Sequence, residues 1–234
     1  MAGFIRYQLI SYMRSLKAIP PLTIFGGWVF VLYAYKQVPI LSSYAVTSIA
    51  IYLIMAWVAI GIFSIEEESE KHILLIALRN KFLFLLGKWI ICFIVALLLM
   101  VFSIVYPIVM NNFSGVIKPV HIGLTIYSHF FLAMLGILVG SFFSVASFAS
   151  RKYTWLSTVL VIVVTLAYEG IVERAIFMKW ILLFLPPVSA VIKFLNGNDT
   201  VQISNDFWIR TSFILVYTLI GFIAVALLFW KKER

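Results

Sequence analysis

Long apolar runs separated by short polar segments make up most of the chain. A helix needs about 20 apolar residues to cross the hydrocarbon core of a bilayer, and six runs approach that length with their flanks. We therefore expect an all-α polytopic membrane protein of about six transmembrane helices, forming a single domain over 1–234. The predicted spans are 22–35 lengthened by its flanks, 44–65, 82–110, 122–148, 153–168 and 207–230.

An amphipathic stretch precedes the first predicted span. Apolar residues recur at helical spacing over 4–19, with Arg6, Arg14 and Lys17 among the polar positions. This pattern predicts a helix that lies in the membrane interface. Pro20-Pro21 then ends it and suits the first turn of the next helix, because proline lacks the N–H that a first-turn position leaves unpaired. We expect an elbow at this point.

An outer segment, 169–206, separates the last two predicted spans. Its apolar part is broken by Pro186-Pro187 and interrupted by Lys179 and Lys193. This favours short re-entrant or interfacial helices, with a seventh full span as the alternative. The charged residues at its start either gate an exit or pair with neighbouring cations, and we favour pairing. The candidate outer-gate residues are Glu169, Glu173, Arg174, Pro186 and Pro187.

Composition agrees with a chain that lipid surrounds. Of 234 residues, 64% are hydrophobic and 12% are charged, whereas soluble domains carry about 25% charged residues. The net charge is +9, but the Lys and Arg residues lie at the ends of apolar runs and form no single basic stripe, so we expect no nucleic-acid partner. Cys92 is the sole cysteine, which excludes a disulfide framework.

Positive residues predict the orientation, because cytoplasmic flanks of membrane helices accumulate Lys and Arg. With both termini in the cytoplasm of a bacterial cytoplasmic membrane, most cations fall inside. Arg151-Lys152 and Lys231-Lys232 are the strongest signals. The predicted cytoplasmic set is Arg6, Arg14, Lys17, Lys71, Arg79, Lys81, Lys88, Arg151, Lys152, Lys231, Lys232 and Arg234, and the outer set is Lys36, Lys118, Arg174, Lys179, Lys193 and Arg210.

The loop between the second and third predicted spans, 66–80, carries the only acidic cluster. Glu67 and Lys71 have the favoured i,i+4 order, and acidic residues lead the segment, so a helix suits both the pairing and the helix dipole. Its far half is apolar and needs a protein or lipid surface. Either it is a solvated connector resting on lipid, or it docks a cytoplasmic partner. The candidate docking residues are Glu66, Glu67, Glu68, Glu70, Lys71, His72, Leu75 and Arg79.

The order of these parts resembles the half-size permeases of type-2 ATP-binding-cassette exporters. Members have an elbow helix like 4–19 and an acidic coupling helix like 66–80 that leads into a Gly-Lys, here Gly87-Lys88. They also have short outer helices before the last span and a basic tail, here 231–234. The chain departs from the family in the coupling helix, because many members have Gly-Thr where it has Glu70-Lys71, and a proline where it has Arg79.

The resemblance implies a permease subunit that works as two copies around a pathway. The coupling helix would sit in a cleft of a separate ATP-binding-cassette ATPase, which would bind ATP and Mg²⁺. Gly87-Lys88 is followed by Trp89 and belongs to no phosphate-binding loop, so we expect no cofactor and no ATPase site in this chain. Similar small permeases export peptides from Gram-positive bacteria. The cargo would be an amphipathic or hydrophobic peptide toxin, bacteriocin or drug.

Two features inside the fourth predicted span have both structural and functional interpretations. Gly136, Gly140 and Ser144 form a small-residue ridge that permits close helix approach, more often within one chain than at a dimer seam. His129 is an ionisable group inside the membrane, and such groups are candidates for function. We favour a neutral histidine that bonds to a neighbouring helix.

Two other functions compete with the permease interpretation. An ion-coupled secondary transporter or channel usually has carboxylates near the midplane, whereas every Asp and Glu here falls at a span end or in a loop. An intramembrane protease that uses Glu66-Glu67 would need partner histidines. The sequence contexts of His121 and His129 do not match that family, so its catalytic set is incomplete.

Overall fold

The computed structural model describes residues 1–78, 80–146, 151–195 and 205–232, and this part of the chain is almost entirely helical. Apart from one isolated bridge between Val38 and Phe113, it contains helices, turns and short loops. The helices are α1 (Ala2–Arg14), α2 (Ile19–Leu32), α3 (Ile40–Phe63), α4 (Glu68–Leu78), α5 (Lys81–Val109), α6 (Pro119–Val145), α7 (Arg151–Leu166), α8 (Tyr168–Arg174), α9 (Met178–Leu182), α10 (Val188–Ile192) and α11 (Asn205–Lys232).

Four of the described helices, α3, α5, α6 and α11, are long and apolar enough to cross a membrane. Two further candidates are bent pairs. The axes of α1 and α2 differ by 75°, and those of α7 and α8 by 63°. The all-α fold is therefore confirmed, with four candidate spans, or six if each bent pair forms one span.

The central pair of helices is α3 and α6, and both are largely buried inside the molecule. Glycines on α6 permit their contact. A Cβ atom added to Gly136 would lie 2.5 Å from the carbonyl oxygen of Tyr52, and one on Gly140 would lie 2.4 Å from that of Ala56. Ser144, one turn later, donates its hydroxyl to the Gly140 carbonyl at 2.7 Å. The glycine ridge is thus a contact within the chain.

The loop between α2 and α3 pairs with the loop between α5 and α6. The backbone N–H of Val38 donates to the Asn112 carbonyl at 3.0 Å, and the N–H of Ser114 donates to the Val38 carbonyl at 3.1 Å. The Asn112 amide also donates to the Tyr33 carbonyl at 2.9 Å. These bonds fasten the end of the helix bundle opposite to α4.

The outer segment contains short helices. α9 and α10 have five residues each, or about 7.5 Å of helix, so the alternative of a seventh full span is wrong. Pro186 is buried and Pro187 is the N-cap residue of α10, while Glu169, Glu173 and Arg174 are exposed. Among the described residues no salt bridge joins either glutamate to Arg174 or Lys179, and the favoured pairing stays a prediction.

Candidate functional site

A buried ion pair lies where α3 ends and α5 begins. The Nζ atom of Lys88 is 2.5 Å from Oε2 of Glu66, and both side chains are only 2% exposed. Nζ also donates to the carbonyl of Ile62 at 2.8 Å. The ammonium lies 5.4 Å and 5.1 Å from the ring centres of Phe63 and Phe84. The carboxylate, the carbonyl and the aromatic rings together compensate for removing this charge from water.

The elbow helix joins the same ion pair through Gln8. The Nε2 group of Gln8 donates to Oε1 of Glu66, so both carboxylate oxygens are bonded. We call Gln8, Glu66 and Lys88 the buried hub, since they connect α1, the end of α3, and α5. Beside it, Phe4 packs on Gly87, where a Cβ would lie 2.5 Å from the Phe4 ring. Gly87 thus contacts Phe4 of α1, and Lys88 is linked to Gln8 of α1 through Glu66.

One face of α4 points toward the rest of the molecule. The phenol of Tyr7 donates to Oε1 of Glu70 at 2.5 Å, and this hydrogen bond raises the pKa of Tyr7. The ammonium of Lys71 lies 5.4 Å from the ring centre of Phe229 on α11. α4 therefore contacts α1 through Glu70 and α11 through Lys71. The half-buried apolar residues of this face are Leu74, Leu75 and Leu78.

The opposite face of α4 is open. Five residues, which we call the docking face, are exposed on it or just before it: Glu67, Glu68, His72, Ile73 and Ile76. Ile73 is 67% exposed and Ile76 is 76% exposed. Two large aliphatic side chains next to carboxylates, on a short helix with no fully buried residue, form a surface suited to a partner.

The predicted docking residues therefore divide into two groups. Glu67, Glu68 and His72 lie on the docking face. Four others face the molecule, and Arg79 lies outside the described residues. Burial assigns Glu66 to the hub, so it is not available to a partner. The four that face inward are Glu66, Glu70, Lys71 and Leu75.

Sequence reasoning missed two members of the hub. Lys88 was assigned to the cytoplasmic flank as an orientation signal, but its side chain is buried. Gln8 was not singled out, because an uncharged polar residue in an amphipathic helix gives no signal of its partner. The signal available for Lys88 was its position seven residues after the start of α5, beyond the apolar run 82–86. Such a charge requires a partner.

The buried histidine of α6 bonds to a neighbouring helix. His129 is fully buried on α6, with Nε2 3.1 Å from the hydroxyl of Thr47 on α3 and Nδ1 2.8 Å from the carbonyl of Thr125. With the ring proton on Nδ1, Nε2 accepts when the Thr47 hydroxyl, which also lies 3.1 Å from the Tyr44 carbonyl of its own helix, turns its one proton to the ring. Within the described ranges no three His, Cys, Asp or Glu residues lie close enough together to hold a metal ion.

No protein-family profile matches the chain, and neither the curated proteins nor the solved structures contain a match. Inferences about function therefore depend on the buried hub, the docking face and the apolar helices.

Proposed function

We propose that the chain is the membrane-spanning permease subunit of an ATP-driven exporter, and that a separate ATP-binding-cassette ATPase docks on α4. The observation that carries this proposal is the docking face. Its carboxylates and exposed isoleucines lie on a helix whose other face is connected to α1 and α11. A partner that moves α4 would thereby move the elbow helix and the last span.

The hub explains how such a movement reaches the spans. Only Glu67 separates Glu66 of the hub from the first residue of α4, and Glu66 itself bonds to α1 and α5. Hydrogen-bond and salt-bridge networks are among the contacts that carry coupling between distant parts of a protein. On this proposal the ATPase acts on Glu67, Glu68, His72, Ile73 and Ile76, and the hub converts its motion into a shift of α5 relative to α3.

The remaining features of the proposal follow from the resemblance described above. Two copies would enclose the pathway, as closed symmetry favours. ATP and Mg²⁺ would be bound by the ATPase, in a bacterial cytoplasmic membrane with both termini of this chain inside. The cargo would be an amphipathic peptide or a drug. The outer-gate role of Glu169, Glu173 and Arg174 remains a prediction; their exposed positions at the start of the outer segment are compatible with it.

Charge reversal on the docking face tests the proposal. The chain is reconstituted with a candidate ATP-binding-cassette ATPase, and ATPase binding and ATP-dependent export are measured. We expect Glu67→Lys with Glu68→Lys to abolish ATPase binding, and Ile76→Glu to weaken it strongly. The matched control is Glu169→Lys with Glu173→Lys, which reverses two exposed carboxylates on α8 and should leave binding intact. Unchanged binding in the docking-face variants would refute the docking role.

An ion-coupled carrier is the second candidate, and the buried pair of Glu66 and Lys88 favours it. Proton-driven transporters use buried ionisable pairs that exchange a proton during transport. The two functions differ in their energy source. Transport by the chain alone in vesicles under a proton gradient, with no ATP and no ATPase, would support the carrier, whereas strict dependence on the ATPase supports the permease.

A further inference from the structure

Helix α1 contacts the rest of the molecule through a narrow buried face. Phe4, Gln8 and Tyr12 are its fully buried side chains, at the i,i+4 spacing of one helix face. Phe4 and Gln8 reach the region of the hub, and a Cβ on Gly61 of α3 would lie 3.4 Å from the Tyr12 ring. The other residues of α1 are half-buried or exposed. Because so few side chains are fully buried, features that oppose this docked position of α1 have a large relative effect.

Two buried polar atoms of α1 have no hydrogen-bond partner. Oε1 of Gln8 and the hydroxyl of Tyr12 are buried without one, and the third such atom among the described residues is Nε1 of Trp89. The amide of Gln8 cannot turn over, because its Nε2 donates to Glu66 and the exchange would bring two oxygens together. A buried polar group without a partner opposes burial, since it has lost its hydrogen bonds to water. Both groups can regain such bonds at the membrane interface.

The turn between α1 and α2 adds a backbone penalty to the docked position. Leu16 has φ 59°, in the left-handed region that is unfavourable for bulky residues. Its side chain is 64% exposed, so burial of this residue does not compensate. On one side of it α1 is docked, and on the other Nζ of Lys17 donates to the Ser64 carbonyl at 2.7 Å. A strained conformation persists only where its surroundings impose it, so Leu16 can relax when α1 detaches.

We propose that α1 is a releasable helix, which detaches reversibly from the bundle to the membrane interface while α2 stays in place. Three features oppose the docked position, namely the two buried atoms without partners and the left-handed turn. α2 has buried residues of its own that hold it. Detachment separates Gln8 from Glu66 and Tyr7 from Glu70, so the hub and α4 both lose their contact with α1. These two states are available whether ATP or an ion gradient drives the chain.

The distance between two spin labels distinguishes the two states. The labels are attached to Ile10→Cys on α1 and Trp230→Cys on α11, both at exposed positions. The background is Cys92→Ser, because Cys92 is the sole native cysteine. The full chain is measured in lipid vesicles by pulsed electron spin resonance. We expect two distances, one for the docked and one for the released helix, and a single distance would overturn the proposal.

Substitutions that remove a penalty should favour the docked distance. Tyr12→Phe keeps the ring and removes the hydroxyl, and we expect the ratio of docked to released helix to rise about fivefold. Leu16→Asn should raise the same ratio about fivefold, because asparagine adopts the left-handed conformation more readily than leucine. The double variant should combine the two increases, since the substitutions remove different penalties.

Two matched controls should leave the ratio unchanged. Leu16→Gln introduces an amide one methylene longer than asparagine, without the tolerance of asparagine for a left-handed backbone. Tyr44→Phe removes a buried hydroxyl that has a partner, the Ile104 carbonyl at 3.1 Å. Equal effects of Leu16→Asn and Leu16→Gln would overturn the proposal. A Tyr12→Phe variant whose docked fraction falls or stays the same would overturn it as well, because the hydroxyl would then not oppose docking.

Discussion

Lys88 Nζ lies 2.5 Å from Glu66 Oε2 with both side chains almost fully excluded from the surface, although Glu66 lies in the loop between α3 and α4 and Lys88 lies on α5. A buried pair of this kind adds little net stability relative to well-packed apolar residues, because both charges lose their hydration. Removing one partner alone is far more damaging. The two charges therefore depend on each other, because either one alone would be buried without a counter-charge.

Lys88→Met should destabilise the protein by about 3–5 kcal/mol, because it leaves a buried carboxylate beside Gln8 without its counter-charge. Combining it with Glu66→Gln should recover much of the loss. The control is Lys193→Met, whose partner Asp206 lies 3.6 Å away in a half-exposed pair and which should cost under about 1 kcal/mol. Apparent melting temperatures in detergent measure both. A Lys88→Met variant as stable as the Lys193→Met variant would contradict the buried pair.

Gly140→Ala should destabilise the contact between α3 and α6, because the new methyl group would lie 2.4 Å from the backbone carbonyl of Ala56. The helices must separate to admit it, at a cost of about 1–3 kcal/mol. Gly123→Ala is a control on the same helix, where nothing lies within 4 Å of the added Cβ. There the better helix propensity of alanine should raise stability slightly. Thermal unfolding followed by tryptophan fluorescence compares them, and equal effects would argue against close packing.

Thr47→Val should leave Nε2 of His129 without a partner while preserving the shape of the side chain. An unsatisfied buried nitrogen costs about 1–3 kcal/mol. The comparison is Thr158→Val, also buried, whose hydroxyl bonds to the Thr154 carbonyl of its own helix. Because the Thr154 carbonyl keeps its backbone hydrogen bond within the helix, Thr158→Val should lower stability less than Thr47→Val does. Chemical unfolding in mixed micelles gives the difference, and equal costs would remove the argument for a histidine link between α3 and α6.

The contact between α1 and α4 should depend on pH in the alkaline range. The bond to the Glu70 carboxylate raises the pKa of Tyr7 above its ordinary value of 10, because the phenolate can no longer donate and is repelled by the carboxylate. This contact therefore contributes below pH 10 and is lost as pH rises through the raised pKa. Phenolate absorbance, taken as the difference from Tyr7→Phe, should show Glu70→Gln lowering the pKa of Tyr7. Glu67→Gln is the control, and equal shifts in the two variants would disprove the contact.

The positions of the long helices were predictable because a helix that crosses a membrane needs a long apolar run, which is visible in the sequence alone. The 3.6-residue period and the length of the apolar runs placed α3, α5, α6 and α11 within a few residues of their observed bounds. The small-residue spacing of Gly136 and Gly140 likewise predicted a close approach, because it is a property of a single helix. Which helix they approach depends on tertiary packing, and the sequence contains no local signal for α3 as the partner.

Which residues of the loop 66–80 face the molecule and which face outward also depends on tertiary packing, so the sequence did not predict it. Glu66 and Glu67 are adjacent acidic residues with the same local pattern, yet one bonds to Lys88 and the other is exposed. Their difference is set by residues that lie far away in the sequence. The apolar character of Ile73, Leu75 and Ile76 predicted a contact surface, but Leu75 packs inward whereas the isoleucines face outward. Only the tertiary fold makes this distinction.

The buried hub also determines when, during synthesis, the N-terminal helix can dock. Gln8 is made 80 residues before Lys88, so at about 5–20 residues per second the ribosome needs about 4–16 s to supply the last member. Throughout that interval the N-terminal helix lacks Lys88, and until residue 66 is translated it lacks Glu66 as well. Stable docking of the N-terminal helix therefore comes after α3 has been translated and α5 has begun. The first helix of the chain therefore reaches its final place only after residues 80 positions further on have been translated.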